Sequence, residues 1–151
     1  MDKLNQLLID ASKNGDAGGV QQLLKLGADV NARETMALGN ASLCGHTEVV
    51  RLLIKAGADV HAWNDLALTD AVEKGHVEVV RLLLDAGADV HKYDDYALRS
   101  ASYYGRVEVV KVLLNSGADA GVKDNHALRA ASLNGHAEII KILTDWEGAN
   151  K

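Results

Sequence analysis

Residues 45–62 read GHTEVVRLLIKAGADVHA, and the string returns as GHVEVVRLLLDAGADVHK at 75–92 and as GRVEVVKVLLNSGADAGV at 105–122. Within its first copy Val49, Val50, Leu52, Leu53 and Ile54 follow helical spacing and stop at Gly57, the pattern of a short amphipathic helix ended by glycine. Just upstream, Ala37, Leu38, Ala41 and Ser42 keep the same spacing and stop at Gly45. One copy is therefore helix, turn, helix, loop.

The period is thirty throughout the chain. Gly15, Gly45, Gly75, Gly105 and Gly135 form one column, and Leu8, Leu38, Leu68, Leu98 and Leu128 another. Ala11, Ala41, Ala71, Ala101 and Ala131 form a third, and Leu23, Leu53, Leu83, Leu113 and Leu143 a fourth. Five repeats result, at 1–30, 31–60, 61–90, 91–120 and 121–151, read as one repeat domain of residues 1–151 whose first and last repeats are caps. Helices of about nine residues are unstable alone in water. Stacking of repeat on repeat must supply the stability, so the expected architecture is an all-α solenoid of five helix-turn-helix units.

Local chemistry supports that reading. Thr35, Asp65, Asp95 and Asn125 precede the first helices as N-caps, and Glu48, Glu78, Glu108 and Glu138 meet the positive end of the second-helix dipole. At the N-terminal end, Gly18 and Gly19 replace Glu-Val, which predicts a short or frayed helix. In the last repeat Thr144 and Glu147 break the pattern, the chain is expected to trail off as WEGANK, and Trp146 to fold over the final helix.

Composition narrows the class. Of 151 residues 48% are hydrophobic, enough for a core, yet Phe and Pro are absent and aromatics make up 4%, so aliphatic side chains must fill the interior. A net charge of −5 argues against a surface that tracks phosphates, which excludes nucleic acid as the expected partner. One cysteine, Cys44, cannot form an internal disulfide; the start MDKLNQLLIDASKNGD lacks the basic end and apolar run of a signal peptide. With no run of about 20 apolar residues either, no membrane is expected, and the compartment read from the sequence is the cytoplasm, with the nucleus as the alternative.

The three strings quoted above resemble the second half of an ankyrin repeat, over essentially the whole chain. Ankyrin units usually run to 33 residues and open on T-P-L-H. Here MALG, LALT, YALR and HALR stand in its place, beginning at Met36, Leu66, Tyr96 and His126, and three residues are missing from each preceding finger loop. The shortened form, above all KYDDYALRSASYYGRVEVVKVLL at 92–114, is similar to the thirty-residue ankyrin repeats of giant DNA viruses such as mimivirus. The resemblance implies helical hairpins with loops projecting to one side and a concave face that binds another protein. It also implies shallow fingers that leave more of the contact to the first helices.

No chemistry competes with that expectation. His46, His76 and His136 share one position in successive repeats, about 10 Å apart by helix packing, whereas zinc ligands must each lie about 2 Å from one ion. A loop hydrogen-bonding role suits them. Cys44 sits near a helix C-terminus without cationic neighbours, and no phosphate-binding, nucleophile-elbow or zinc-protease motif occurs. The expectation is a non-catalytic chain without metal or cofactor.

Subtracting the framework columns leaves the finger residues and the outer side of the first helices, and these are aromatic. Trp63 and Tyr93 occupy one finger position in adjacent repeats, while Tyr103 and Tyr104 end the first helix of the fourth. Exposed aromatics on such a face are the usual anchors of a binding hot spot. Tyr96 is read as half-buried over the core, because Met36, Leu66 and His126 share its position. Leu43 and Leu133 extend the patch, Glu73 and Lys74 give it polarity, and Arg99 and Arg129 either pair with finger acids such as Asp94 and Asp124 or reach an acidic partner. Two alternatives stay open: self-association into a homo-oligomer through the same patch, and an engineered ankyrin binding scaffold.

Overall fold

The computed structural model describes residues 2–149, and among these ten helices and no strand occur. They fall into two compact units, Met1–Ala88 and Asp89–Lys151.

The first unit holds α1 (Asp2–Asn14), α2 (Ala17–Lys25), α3 (Ala32–Cys44), α4 (Thr47–Lys55), α5 (Ala62–Lys74) and α6 (Val77–Asp85). Helices α1, α3 and α5 pack side by side as one layer, and α2, α4 and α6 as a second. The leucine columns lie between the layers: Leu8, Leu38 and Leu53 are fully buried and Leu68 nearly so. Each such side chain contributes about 1.5–3 kcal/mol when removed from water. Small Ala37, Ala41, Ala67 and Ala71 allow the first-layer helices to approach closely. The second unit repeats the plan with α7 (Lys92–Tyr103), α8 (Val107–Asn115), α9 (Val122–Leu133) and α10 (Ala137–Ala149) around Leu98, Val110, Leu113, Ile139 and Leu143. Leu23 and Leu128, in the first and last repeats, are only half-buried, as terminal repeats with an outer face require.

The glycine and histidine columns lock together. Gly15 and Gly45 have φ of 74° and 75°, and an added Cβ would come within 2.7 Å of the His46 ring at the first and 2.6 Å of the His76 ring at the second. Each imidazole lies across the turn of the repeat before it and donates from Nε2 to a carbonyl there: His46 to Lys13 and His76 to Leu43, both at 3.0 Å, and in the second unit His136 to Tyr103 at 2.9 Å. These histidines bind loops.

Three local expectations change. Helix α2 is full length, because the Asp16 carboxylate caps it by accepting from Gly19 N at 2.9 Å. A Cβ at residue 19 would sit 2.2 Å from the other carboxylate oxygen, so the glycine that lowers helix propensity is what admits the cap. Second, Trp146 is part of α10, which continues to Ala149 because no glycine stops it at Glu147; it lines a cleft together with the 118–121 loop and Asn125. Of the expected WEGANK tail, Asn150 and Lys151 lie outside the described residues. Third, Asp95 does not cap its own helix: Oδ1 accepts from the Asp119 amide at 3.1 Å and bonds His91 Nδ1 at 3.1 Å.

The shortened fingers are not hairpins. Each is a bend followed by three residues in the left-handed region, so that α3, α5, α7 and α9 become right-handed only after them: Arg33 to Thr35, Trp63 to Asp65, Tyr93 to Asp95 and Lys123 to Asn125, with φ between 46° and 67°. In three of them the last residue donates back four positions, Thr35 to Asn31 O at 3.2 Å and Asp65 and Asp95 to His61 O and His91 O at 3.3 Å, closing a single left-handed turn. That conformation costs L-residues about 1–2 kcal/mol each. Side-chain bonds offset it. The Asp29, Asp59 and Asp89 carboxylates each accept at 2.9 Å from the amide two residues on, and Asn5 and Asn31 accept from the Asp29 and Asp59 amides of the next finger at 2.8 and 2.9 Å.

Candidate functional site

In each unit the first helices leave a groove between neighbours, and the two grooves differ in chemistry. In the second unit α7 and α9 enclose about 520 Å³ lined by Tyr96, Tyr103, Tyr104, Arg99, Arg129 and Leu133, with His126 on its rim. Helix periodicity explains the grouping: Tyr96, Arg99 and Tyr103 are spaced three and four apart, as are His126, Arg129 and Leu133, so each set shares a face. Tyr103 and Tyr104 meet edge to face with centroids 5.0 Å apart and are both about half exposed, while Leu133 is 86% exposed.

The arginines are the distinctive charge. Arg99 lies over the half-buried Tyr96 ring, its guanidinium carbon 4.9 Å from the centroid, a cation–π contact that holds the head in place. Of the acids considered from the sequence, Asp94 pairs instead with Lys123. Among the described residues neither Arg99 nor Arg129 has a carboxylate partner, and no acid lines the groove.

In the first unit α3 and α5 enclose about 560 Å³. Leu43 and Trp63, expected from the sequence, are here; Gly39 and Asp70, not among the expected residues, and the exposed Met36 and Leu66, expected only as cover over the core, also shape the groove. Gly39 was visible as the one glycine in the column Ile9, Gly39, Thr69, Arg99, Arg129. Asp70 is half-buried, and that partial burial raises its carboxyl above the ordinary 3.8; Glu73 adds to the rise and Lys74 opposes it.

The remaining expected residues fall outside both grooves. Tyr93 is 62% exposed on its finger with Lys92 Nζ 6.0 Å from its ring centroid. Lys74 is exposed at the end of α5, Glu73 half-buried beside it, and Cys44 exposed and free. Among the described residues no group of His, Cys, Asp or Glu gathers at metal-binding spacing, and no helix is long and apolar enough to cross a membrane.

Paired antiparallel helices repeated every thirty residues, bearing grooves on their first helices, define a helical-hairpin repeat protein of the kind that recognises macromolecules. Family models described as ankyrin repeats match residues 8–94, in three copies, and residues 98–144, in many copies. The chain belongs to the ankyrin repeat family, whose repeats are generally non-catalytic protein–protein interaction modules. No individual curated protein matches it.

Proposed function

We propose that this chain binds a partner protein through its first helices and finger loops, and that the groove between α7 and α9 is the principal contact. The observation that carries this reading is the pair of arginines without carboxylate partners, one on each side of an aromatic groove, in a chain of net charge −5. An acidic segment of the partner supplies the missing counter-charge to Arg99 and Arg129. Its apolar residues pack on Tyr103, Tyr104 and Leu133, with Tyr93 on the finger of the same unit adding to the contact; in the first unit Leu43, Trp63, Glu73 and Lys74 are proposed as partner contacts in their own right.

Alanine at both Tyr103 and Tyr104 tests it. Against a partner captured by the wild-type chain, calorimetry should show a loss of about thirtyfold, since hot-spot truncations cost about 2 kcal/mol or more. Equal affinity would remove the groove from the interface. The exposure of Leu133 favours self-association as a second reading, which sedimentation over a range of concentrations decides. The fingers, three residues shorter than the usual repeat, support placing the chain with the thirty-residue repeats of giant DNA viruses; the single cysteine fits a place in the cytoplasm, or in the nucleus, of the cell that makes it.

A further inference from the structure

The groove between α3 and α5 shares no residue with the groove just described, and its central oddity is Gly39. Glycine inside a helix costs about 0.5–1 kcal/mol relative to alanine, and a structural reason normally accompanies it. Here none does. Gly39 has a negative φ, and a Cβ built on it meets nothing within 4 Å. The backbone does not require glycine, and no neighbour forbids a side chain. What the missing side chain provides is depth, because the same position carries Arg99 and Arg129 in the second unit.

The walls of that space are apolar and its charge is negative. Met36, Leu43, Trp63 and Leu66 are large, exposed apolar side chains that would each be more stable covered. Glu34, Asp59 and Asp70 add carboxylates. Arg33, the base in the lining, is already engaged, donating to Gln6 Oε1 at 2.7 Å and facing Asp2 at 3.5 Å. Asp70 has no hydrogen bond or ion pair with any described residue, and its acidity is weakened by partial burial and by Glu73, an effect that Lys74 on the same helix offsets only in part. A cation placed beside it would relieve both effects.

We infer that the groove hollowed by Gly39 is a socket for an arginine side chain of a partner peptide, its guanidinium bonded to Asp70 and its flanking apolar residues packed on Leu43, Leu66 and Trp63. Arginine fits better than lysine. Its planar head bonds a carboxylate through two parallel N–H donors and stacks on an indole, and it sheds water more readily than an ammonium. Its methylene stem covers apolar surface on the way in. The volume, about 560 Å³, is within the range of ligand-binding clefts and holds the side chain with its neighbours.

Titrating the full-length, isotope-labelled chain with capped pentapeptides tests this, each peptide carrying leucine on both sides of a central arginine, glutamine or glutamate. The arginine peptide should shift the Trp63 indole N–H and the amides around Gly39, and bind at least about tenfold more tightly than the glutamine peptide, a charge-assisted bond's share. Asp70→Asn should erase that difference. Gly39→Leu should abolish binding while leaving the melting temperature equal or higher, because leucine is the better helix former, so the loss cannot be assigned to unfolding. Arginine and glutamine peptides binding alike, shifts centred on Tyr103 and Leu133 instead, binding that survives Gly39→Leu, or no binding at millimolar peptide would each overturn the inference. Free arginine binding as tightly as the peptide would also overturn it, marking a small-molecule site. The Tyr103 and Tyr104 variant should bind the arginine peptide normally, which separates this socket from the groove between α7 and α9.

Discussion

The groove between α3 and α5 and the groove between α7 and α9 use the same positions of the repeat and hold opposite chemistry. Gly39 stands where Arg99 stands, Thr69 where Arg129, Asp70 where Ala130, Leu43 where Tyr103 and Leu66 where His126. Beneath both, Leu38 and Leu98 are fully buried, and the small Ala41 and Ala101 pack in the same way. The stability of such an array comes from stacking buried columns, so the positions above them are free to differ. One groove is apolar and acidic, the other aromatic and basic, and neither choice disturbs the helices underneath.

Reversing the charge of the second groove should give the largest effect. Arg99→Glu with Arg129→Glu should weaken binding of the partner captured by the wild-type chain by at least about a hundredfold, since each charge-assisted bond is worth about 1.5–3 kcal/mol. Unchanged affinity would show that the two grooves do not differ in any way the partner reads. A smaller effect comes from exchanging residues at the shared position. Gly39→Ala should stabilise the chain by about 0.5–1 kcal/mol in urea melts and Arg99→Gly should destabilise it by a similar amount. If Gly39→Ala destabilises, the glycine serves the fold and the depth of the first groove is incidental.

The smallest effect is electrostatic. Because the folded chain raises the Asp70 carboxyl above its ordinary value, ionisation is less favourable folded than unfolded. The resulting penalty is present above the folded pKa and disappears as pH falls below the unfolded one. Asp70→Asn should therefore raise the melting temperature slightly at neutral pH, with the gain fading toward pH 3, and Ala130→Asn should show no such pH dependence. The carboxyl is only half-buried, so solvent screening keeps the shift small.

Much of the fold was legible because the burial pattern repeats. Columns of leucine, alanine and glycine fixed ten helices and their stops, and the histidine column's loop role followed from its spacing. The fingers were harder. Asn64-Asp65, Asp94-Asp95 and Asp124-Asn125 are residues that tolerate left-handed backbone, but Asp65, Asp95 and Asn125 are equally good helix caps by type, and the capping pattern competes with the turn signal. Trp63, Tyr93 and Lys123 hid it, being poor residues for such a turn. The Asp16 cap was masked by the propensity penalty of Gly18 and Gly19, which ignores a contact only coordinates reveal. For the grooves, aromatics drew attention to Tyr103 and Tyr104, whereas Gly39 and Asp70 matter through an absent side chain and an unpaired charge. Neither property has a sequence motif.

The left-handed turns carry a consequence for the optical behaviour of the chain. At twelve positions, Arg33 to Thr35, Trp63 to Asp65, Tyr93 to Asp95 and Lys123 to Asn125, the backbone winds in the sense natural to amino acids of the opposite hand. Peptide chromophores coiled that way contribute dichroism of opposite sign to that of the right-handed helical segments, so far-ultraviolet dichroism will understate the ordered fraction of this protein. Chemical synthesis with D-residues at those positions would leave the spectrum's shape intact while removing the steric conflict at each Cβ, so the fingers are built for mirror-image building blocks.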